Sequence, residues 1–389
     1  SLGSLFICIF AGFPIAFTLL FLGLVTGYIG IGQVVFNLMT LQVYAIMTEQ
    51  VLAAVPCFLF MGYLLESSGL MERLFKAFQL MLARLSGSLY VAVTATATIF
   101  AAATGIVGSS VTLLGVMAAP TMNQSRYNVR LCAGCITAGG TLGILIPPSI
   151  MLVVMGPVVG VPVTDLFAAA ILPGILLAGL YMGYCLIRCK LDPSLGPPLP
   201  VERHAISLAW MAKELVLGVF PVSCVILATL GSILFGLATP TEGAACGAAG
   251  ALVLSLAYRK LTWRDLQNSM WRTVEISAMI LLLCGASNFY GAVFSRLGSA
   301  GYLTKLLLGF HLDPMIMLIA IMALIFVLGW PLEWVPIVLI IVPVLMPLVR
   351  EMGYNLTWFC TLVAVTLQTA WLSPPVALSA YFLKGVVPG

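Results

Sequence analysis

The chain is 389 residues long, 62% hydrophobic and only 8% charged, with a mean hydropathy of +1.15 and a formal net charge of +4. Soluble domains carry about 25% charged residues, so this composition excludes a sizeable water-soluble domain and indicates an all-helical polytopic membrane protein. No basic face interleaved with aromatics is available for nucleic acid. His204 and His311 are too few and too far apart for a zinc site. Cys132-x-x-Cys135 is the one closely spaced, metal-like pair among the ten cysteines; it has no second pair and reads as buried helix packing.

In chain order, residues 2–25 read as a first span and not as a signal peptide, because no charged segment with a small-residue cleavage site precedes them. A glycine-rich turn (27–33), a moderately apolar stretch (34–50) and a short span (51–65) closed by Glu66-Ser67-Ser68-Gly69 follow. Over 70–85, apolar and basic positions alternate at helical spacing, which predicts an amphipathic helix lying at the membrane surface. Two apolar arms, 89–104 and 111–122, then flank the small polar tip Gly108-Ser109-Ser110. Each is shorter than the ~20 residues a spanning helix needs, so the pattern predicts a re-entrant hairpin over 89–122. In the next segment, 130–158, Pro147 and Pro148 remove two backbone donors, and the helix should unwind near 139–148. Backbone groups freed at membrane depth are tolerated only inside protein or along a cavity. A hairpin tip and a broken helix that meet would make a site for a cation and an anionic substrate.

A span at 164–187 leads into a proline-rich, charged linker, 188–213, with a helix-like stretch from 204. Spans at 214–235, 242–258 and 273–293 follow, with a shorter apolar segment at 301–311. Thr239-Pro240-Thr241-Glu242 carries the grammar of a capping box. Arg73, Lys76, Arg84, Arg126, Arg130, Arg188, Lys190, Arg203, Lys213, Arg259, Lys260, Arg264 and Arg272 can all lie on one side, which should be cytoplasmic. Arg296, Lys305 and Arg350 then fall outside, and the hairpin opens from the cytoplasm.

Pro120, Tyr127, Asn128, Pro147 and Pro148 recur 227 residues later as Pro347, Tyr354, Asn355, Pro374 and Pro375. Pro14 matches Pro240, and Gly108 pairs with Gly329 at a slightly shorter offset. The pattern predicts two repeats, 1–187 and 214–389. The second has its own hairpin (314–349, tip Gly329-Trp330-Pro331-Leu332-Glu333) and its own broken helix (357–388, interrupted around 368–375). An odd number of spans separates the halves, so they should be inverted, an arrangement that places substrate and coupling-ion sites near the bilayer midplane.

Four segments, GSSVTLLGVMAAPTM, GGTLGILIPPSI, LFGLATPTEGAACGA and LSPPVALSAYFLKG, resemble the large membrane subunit of tripartite ATP-independent periplasmic (TRAP) transporters, in the order in which that family carries them. The resemblance covers essentially the whole chain. It implies an ion-transporter-superfamily fold with inverted repeats and elevator-type transport and scaffold domains in the cytoplasmic (inner) membrane of a prokaryote. It also implies sodium-driven import of a small carboxylate or sulfonate delivered by a periplasmic binding protein, with a small membrane subunit as second partner. Carried over by position, one sodium site would use Gly108, Ser109, Ser110, Gly139, Gly140, Thr141 and Gly143. The other would use Gly329, Glu333, Gln368, Thr369 and Ser373. The substrate would meet Ser109, Ser110 and Thr112, with Glu333, Asn288 and Arg296 as charged or amide candidates; Glu49 and Glu66 read as interfacial charges. The second tip departs from the smaller, Asp-containing turn usual in the family. A stand-alone sodium- or proton-coupled carboxylate carrier is the alternative reading and an ion channel a more distant one. No nucleophile–base or metal constellation supports an enzyme.

Overall fold

The computed structural model describes residues 2–83, 85–199, 208–309, 313–374 and 377–387, and every regular element among them is helical. Arg84, Arg203, His204, His311 and Pro375 lie outside the described residues. The first elements are α1 (Leu2–Phe10), α2 (Ile15–Ile31), α3 (Val34–Met47), α4 (Ala54–Ser67), α5 (Leu70–Met81), α6 (Ser88–Thr104) and α7 (Val107–Gln124). Next come α8 (Val129–Thr141), α9 (Ile150–Val159), α10 (Val163–Leu191), α11 (Leu208–Ile226), α12 (Ser232–Leu234), α13 (Pro240–Ala257) and α14 (Trp263–Arg296). The chain ends with α15 (Ser299–Leu308), α16 (Pro314–Leu328), α17 (Trp334–Pro336), α18 (Val342–Glu351), α19 (Leu356–Leu367) and α20 (Leu378–Val386). Among the described residues, five helical stretches are long and apolar enough to cross a membrane: Gln50–Ser67, Val163–Leu191, Lys213–Leu234, Trp263–Arg296 and Trp334–Glu351.

Two expected boundaries are corrected. The span read over 2–25 is two helices, because Gly12 adopts a left-handed φ of 90° and Pro14, which cannot donate, caps α2. The span read over 273–293 begins at Trp263. Its start is a reciprocal cap: the Asp265 carboxylate accepts from Thr262 N at 3.1 Å, and the Thr262 hydroxyl accepts from Asp265 N at 3.2 Å. Elsewhere the elements lie close to the expected ones. In α5 the residues Leu70, Met71, Leu74 and Phe75 are buried, while Glu72, Arg73 and Lys76 are exposed, as the amphipathic spacing requires. The capping box at Thr239 and Glu242 is present.

Two compact units are distinguished, and each draws segments from both halves of the sequence. One comprises Ser1–Ala53, Val153–Leu166 and Val274–Val376; the other comprises Ala54–Leu152, Phe167–Thr273 and Ala377–Gly389. In the second unit, α13 packs along α4 through a four-residue repeat of small buried residues, Gly243, Gly247, Ala251 and Ser255. A Cβ on Gly247 would lie 2.3 Å from the Thr229 hydroxyl and 2.6 Å from Met61 Sδ, so the contact depends on its absence. The linker is docked: Gly196 O accepts from Gly87 N at 2.8 Å, and Leu195 O accepts from Asn128 N at 3.0 Å and from the Tyr90 hydroxyl at 2.8 Å. In the first unit, Val35 and Leu38 of α3 form a core with Phe289 and Val293 of α14.

Prolines inside helices leave the carbonyl four residues earlier without its backbone donor, and the chain twice supplies a hydroxyl instead. Pro221 frees Leu217 O, which accepts from the Tyr258 phenol at 2.7 Å. Pro343 frees Leu339 O in the π-helical turn Ile337–Ile341, and the buried Ser287 hydroxyl donates to it. Tyr258→Phe and Ser287→Ala should therefore each destabilise the protein by about 1 kcal/mol or more. A lower Tm in detergent is the readout, with Tyr184→Phe, an exposed phenol on α10, as the neutral control.

Candidate functional site

The first hairpin turns at Gly105-Ile106, upstream of the tip read from the sequence. Gly105 closes α6 with a left-handed φ of 63°, and its N–H bonds to Ala101 O; Ile106 is extended and opens α7. A left-handed position is cheapest for a residue without Cβ. Gly108, Ser109 and Ser110 instead occupy the first helical turn of α7, where the Ser110 hydroxyl bonds back to Ile106 O at 2.8 Å.

The interrupted helix wraps this turn. Beyond Thr141 the backbone tightens into a 3₁₀ turn, Leu142–Ile144, and regains α-helix only at Ile150. The interruption is thus 142–149, slightly later than the 139–148 expected from the prolines. A Cβ on Gly140 would lie 2.2 Å from Val111 Cγ2 and 3.2 Å from Val111 N. One on Gly143 would lie 3.5 Å from Ile106 N, and one on Gly105 would lie 2.8 Å from Pro148 O. Glycine at 140 and 105 is what allows the two segments to approach so closely; the Gly143 spacing is an ordinary contact. Leu142 and Ile146 pin the interruption against Ala101 of α6 and Ala178 of α10.

Three hydroxyls on these elements each donate their proton to a named acceptor. Ser110 donates to Ile106 O, the fully buried Thr141 donates to Ala138 O at 2.8 Å, and Ser109 donates to the Glu66 carboxylate. A hydroxyl oxygen whose proton is so donated can still accept, the chemistry a hard cation requires; the Ser110 oxygen also lies 3.5 Å from the Thr104 hydroxyl. Among the described residues, no group of His, Cys, Asp and Glu could hold a metal ion of the softer kind. Thr112 is half-buried on α7. Gly108 and Gly139 face elsewhere, Gly108 toward the Phe382 ring of α20 and Gly139 toward Ala97 of α6.

In the other unit a non-helical turn, 329–333, separates α16 from α17. Gly329 ends α16, and a Cβ there would lie 3.2 Å from Ala370 in the 3₁₀ turn Gln368–Trp371. Gln368 is 2% exposed; its Nε2 donates to Ala364 O at 3.4 Å, and its Oε1 has no hydrogen-bond partner among the described residues. Thr369 donates to Thr366 O at 2.6 Å and accepts from Ser373 N through its carbonyl at 2.9 Å. Glu333 is half-buried at the N-cap of α17, and its carboxylate makes no capping bond. Pro374 is exposed. Asn288 is tied to α3, its Nδ2 donating to Gln42 O at 3.1 Å and Gln42 Oε1 at 2.9 Å, and Arg296 is exposed at the last residue of α14.

The sequence reads Glu66 as an interfacial charge; the structure adds its contact with Ser109 of α7. Its partner Ser109 lies 43 positions away, and no local pattern links them. The available signal was the charge itself, beside the small Gly62 one helical turn earlier, whose Cβ would lie 2.7 Å from Thr104 O at the end of α6.

Helices of this length and apolarity make the chain a multi-pass membrane protein, and its fold is that of a solved transporter. It matches the crystal structure of the Alcanivorax borkumensis YdaH transporter with a TM-score of 0.63 over 95% of this chain and 89% of that one, at 16% identity. The family model "Tripartite ATP-independent periplasmic transporter, DctM component" matches residues 2–388, and the chain belongs to that family. It is 28% identical to the C4-dicarboxylate TRAP transporter large permease protein DctM of Rhodobacter capsulatus, over 99% of this chain and 89% of that protein. It is 27% identical to the sialic acid TRAP transporter large permease protein SiaM of Vibrio cholerae, over 97% and 87%. The isethionate TRAP transporter permease protein DctMQ of Oleidesulfovibrio alaskensis is 27% identical over 86% of this chain and 52% of its own length. These relatives are transporter permease subunits, not enzymes.

The Gly140–Val111 contact can be tested directly. Gly140→Ala should lower solute uptake at least tenfold with the protein still folded, and adding Val111→Ala, which opens the space, should restore part of it.

Proposed function

We propose that this subunit imports a small organic acid, a carboxylate or sulfonate, together with sodium across the cytoplasmic membrane. The observation that carries the reading is the clasp of the Gly105-Ile106 turn by the interrupted helix through Gly140, Gly143 and Pro148. It sets the hydroxyl-bearing start of α7 beside a break in a membrane helix, a place where coupling ions bind in secondary transporters. Sodium is cargo here. Ser109, Ser110, Thr141 and the carbonyls around Gly139, Gly140 and Gly143 would hold it in the first site. Gln368, Thr369, Ser373, Gly329 and Glu333 would serve the second, where the unpartnered Gln368 Oε1 suits a cation. Ser109, Ser110 and Thr112 are the proposed substrate contacts on α7.

The inverted-repeat reading is supported by matching geometry at the 227-residue offset. Arg126 and Gly353 both take a left-handed φ, 58° and 73°. Asn128 and Asn355 cap α8 and α19, their carbonyls accepting from Leu131 N at 3.1 Å and Trp358 N at 3.0 Å. The 3₁₀ turns Leu142–Ile144 and Gln368–Trp371 fall at the same relative place. An elevator movement would use the two compact units as its bodies. The named substrates of the relatives, a C4-dicarboxylate, sialic acid and isethionate, support the acid class. A periplasmic binding protein and a small membrane subunit are the proposed partners.

Uptake by proteoliposomes containing this chain, its small subunit and its binding protein tests the reading. An inward sodium gradient should drive accumulation of a labelled acid, and potassium or a proton gradient should not. Accumulation under a proton gradient alone would overturn sodium coupling. Accumulation without the binding protein would favour the stand-alone carrier.

A further inference from the structure

Glu66 is the penultimate residue of α4, on the same face as Gly62. Gly62 presses on Thr104 O before the hairpin turn, while the Glu66 carboxylate accepts the hydroxyl proton of Ser109 after it. One face of α4 therefore straddles the turn. The helix is held from another side by α13, through Met61 against Gly247 and through Ser255, whose hydroxyl donates to Leu64 O at 2.9 Å. Glu66 keeps its second oxygen and little competition. Its ion pair with Arg272 spans 3.9 Å, and the arginine side chain is 60% exposed and lies over the Tyr63 ring at 5.8 Å. An exposed pair of that kind is weak.

We infer that Glu66 is a positioning residue of the first ion site: by taking the Ser109 proton, its carboxylate aims the Ser109 lone pairs and so sets the affinity for sodium. The inference rests on the sodium reading above. A serine that donates to a neutral acceptor can rotate; one bound to a carboxylate is fixed and its oxygen is made more basic. Groups that orient a ligand in this way typically change ion affinity by 10–100-fold when removed. Because Glu66 acts through Ser109, the two should be non-additive.

The test is a sodium titration of thermal stability on the purified full chain, with choline holding ionic strength constant and potassium as control. Glu66→Ala should raise the sodium concentration for half-maximal stabilisation roughly tenfold. Glu66→Gln, whose amide oxygen accepts the same bond without charge, should raise it less. Ser109→Ala combined with Glu66→Ala should match Ser109→Ala alone. Should Glu66→Ala not fold, Glu66→Asp, whose carboxylate falls short of Ser109, takes its place with the same expected shift. A wild-type sodium response left unchanged by these variants, or single effects that add in the double variant, overturns the inference alone. No sodium response in the wild type overturns the sodium reading and this inference with it.

Discussion

A backbone carbonyl in hydrocarbon must have a partner, and the fold depends on how this chain meets that requirement around its prolines. At two ordinary helix prolines it answers with a single hydroxyl: Tyr258 reaches Leu217 O, and Ser287 reaches Leu339 O. At Pro147-Pro148 a whole stretch leaves the helix, and the buried Ser149 hydroxyl donates to Ile144 O, the carbonyl that Pro148 frees, at 2.5 Å. The Gly105-Ile106 turn and the start of α7 also lie against that stretch. The broken helix is thus covered by a hairpin turn, which keeps its irregular backbone inside protein.

Glycine sets how close this approach is. Gly140 and Gly105 each abut backbone or side-chain atoms at distances no Cβ could occupy, and Gly62 does the same from α4. The apolar grip of Leu142 and Ile146 on α6 and α10 holds the break in place from behind. Rigidity around an irregular segment is what an ion site needs, since ligands that must be ordered at binding lose affinity to conformational entropy.

Much of this was legible in the sequence because the informative residues act locally. Proline pairs break helices wherever they stand, and α-helix stops at Thr141 and at Leu367, a few residues before each pair. Asn128 and Asn355 announce helix starts by the same local chemistry. The misplacements also have local causes. Gly108-Ser109-Ser110 looks like a turn by composition, yet the left-handed position belongs to Gly105, and serines are equally at home in a first helical turn. Gly12-Phe13-Pro14 and Thr262-x-x-Asp265 carried readable signals that hydropathy masked. Glu66 was legible as a charge but its contact with Ser109 was not, because that side chain is brought to it by the packing of α4 beside the hairpin.

Direct binding of radiolabelled sodium to the purified protein by scintillation proximity would test the central claim, that the clasped turn is a cation site. Saturable binding displaced by unlabelled sodium but not by potassium, and lost when Ser109 and Ser110 are both alanine, is the result expected. Saturable binding that survives the double substitution unchanged would contradict it and move the site away from this turn.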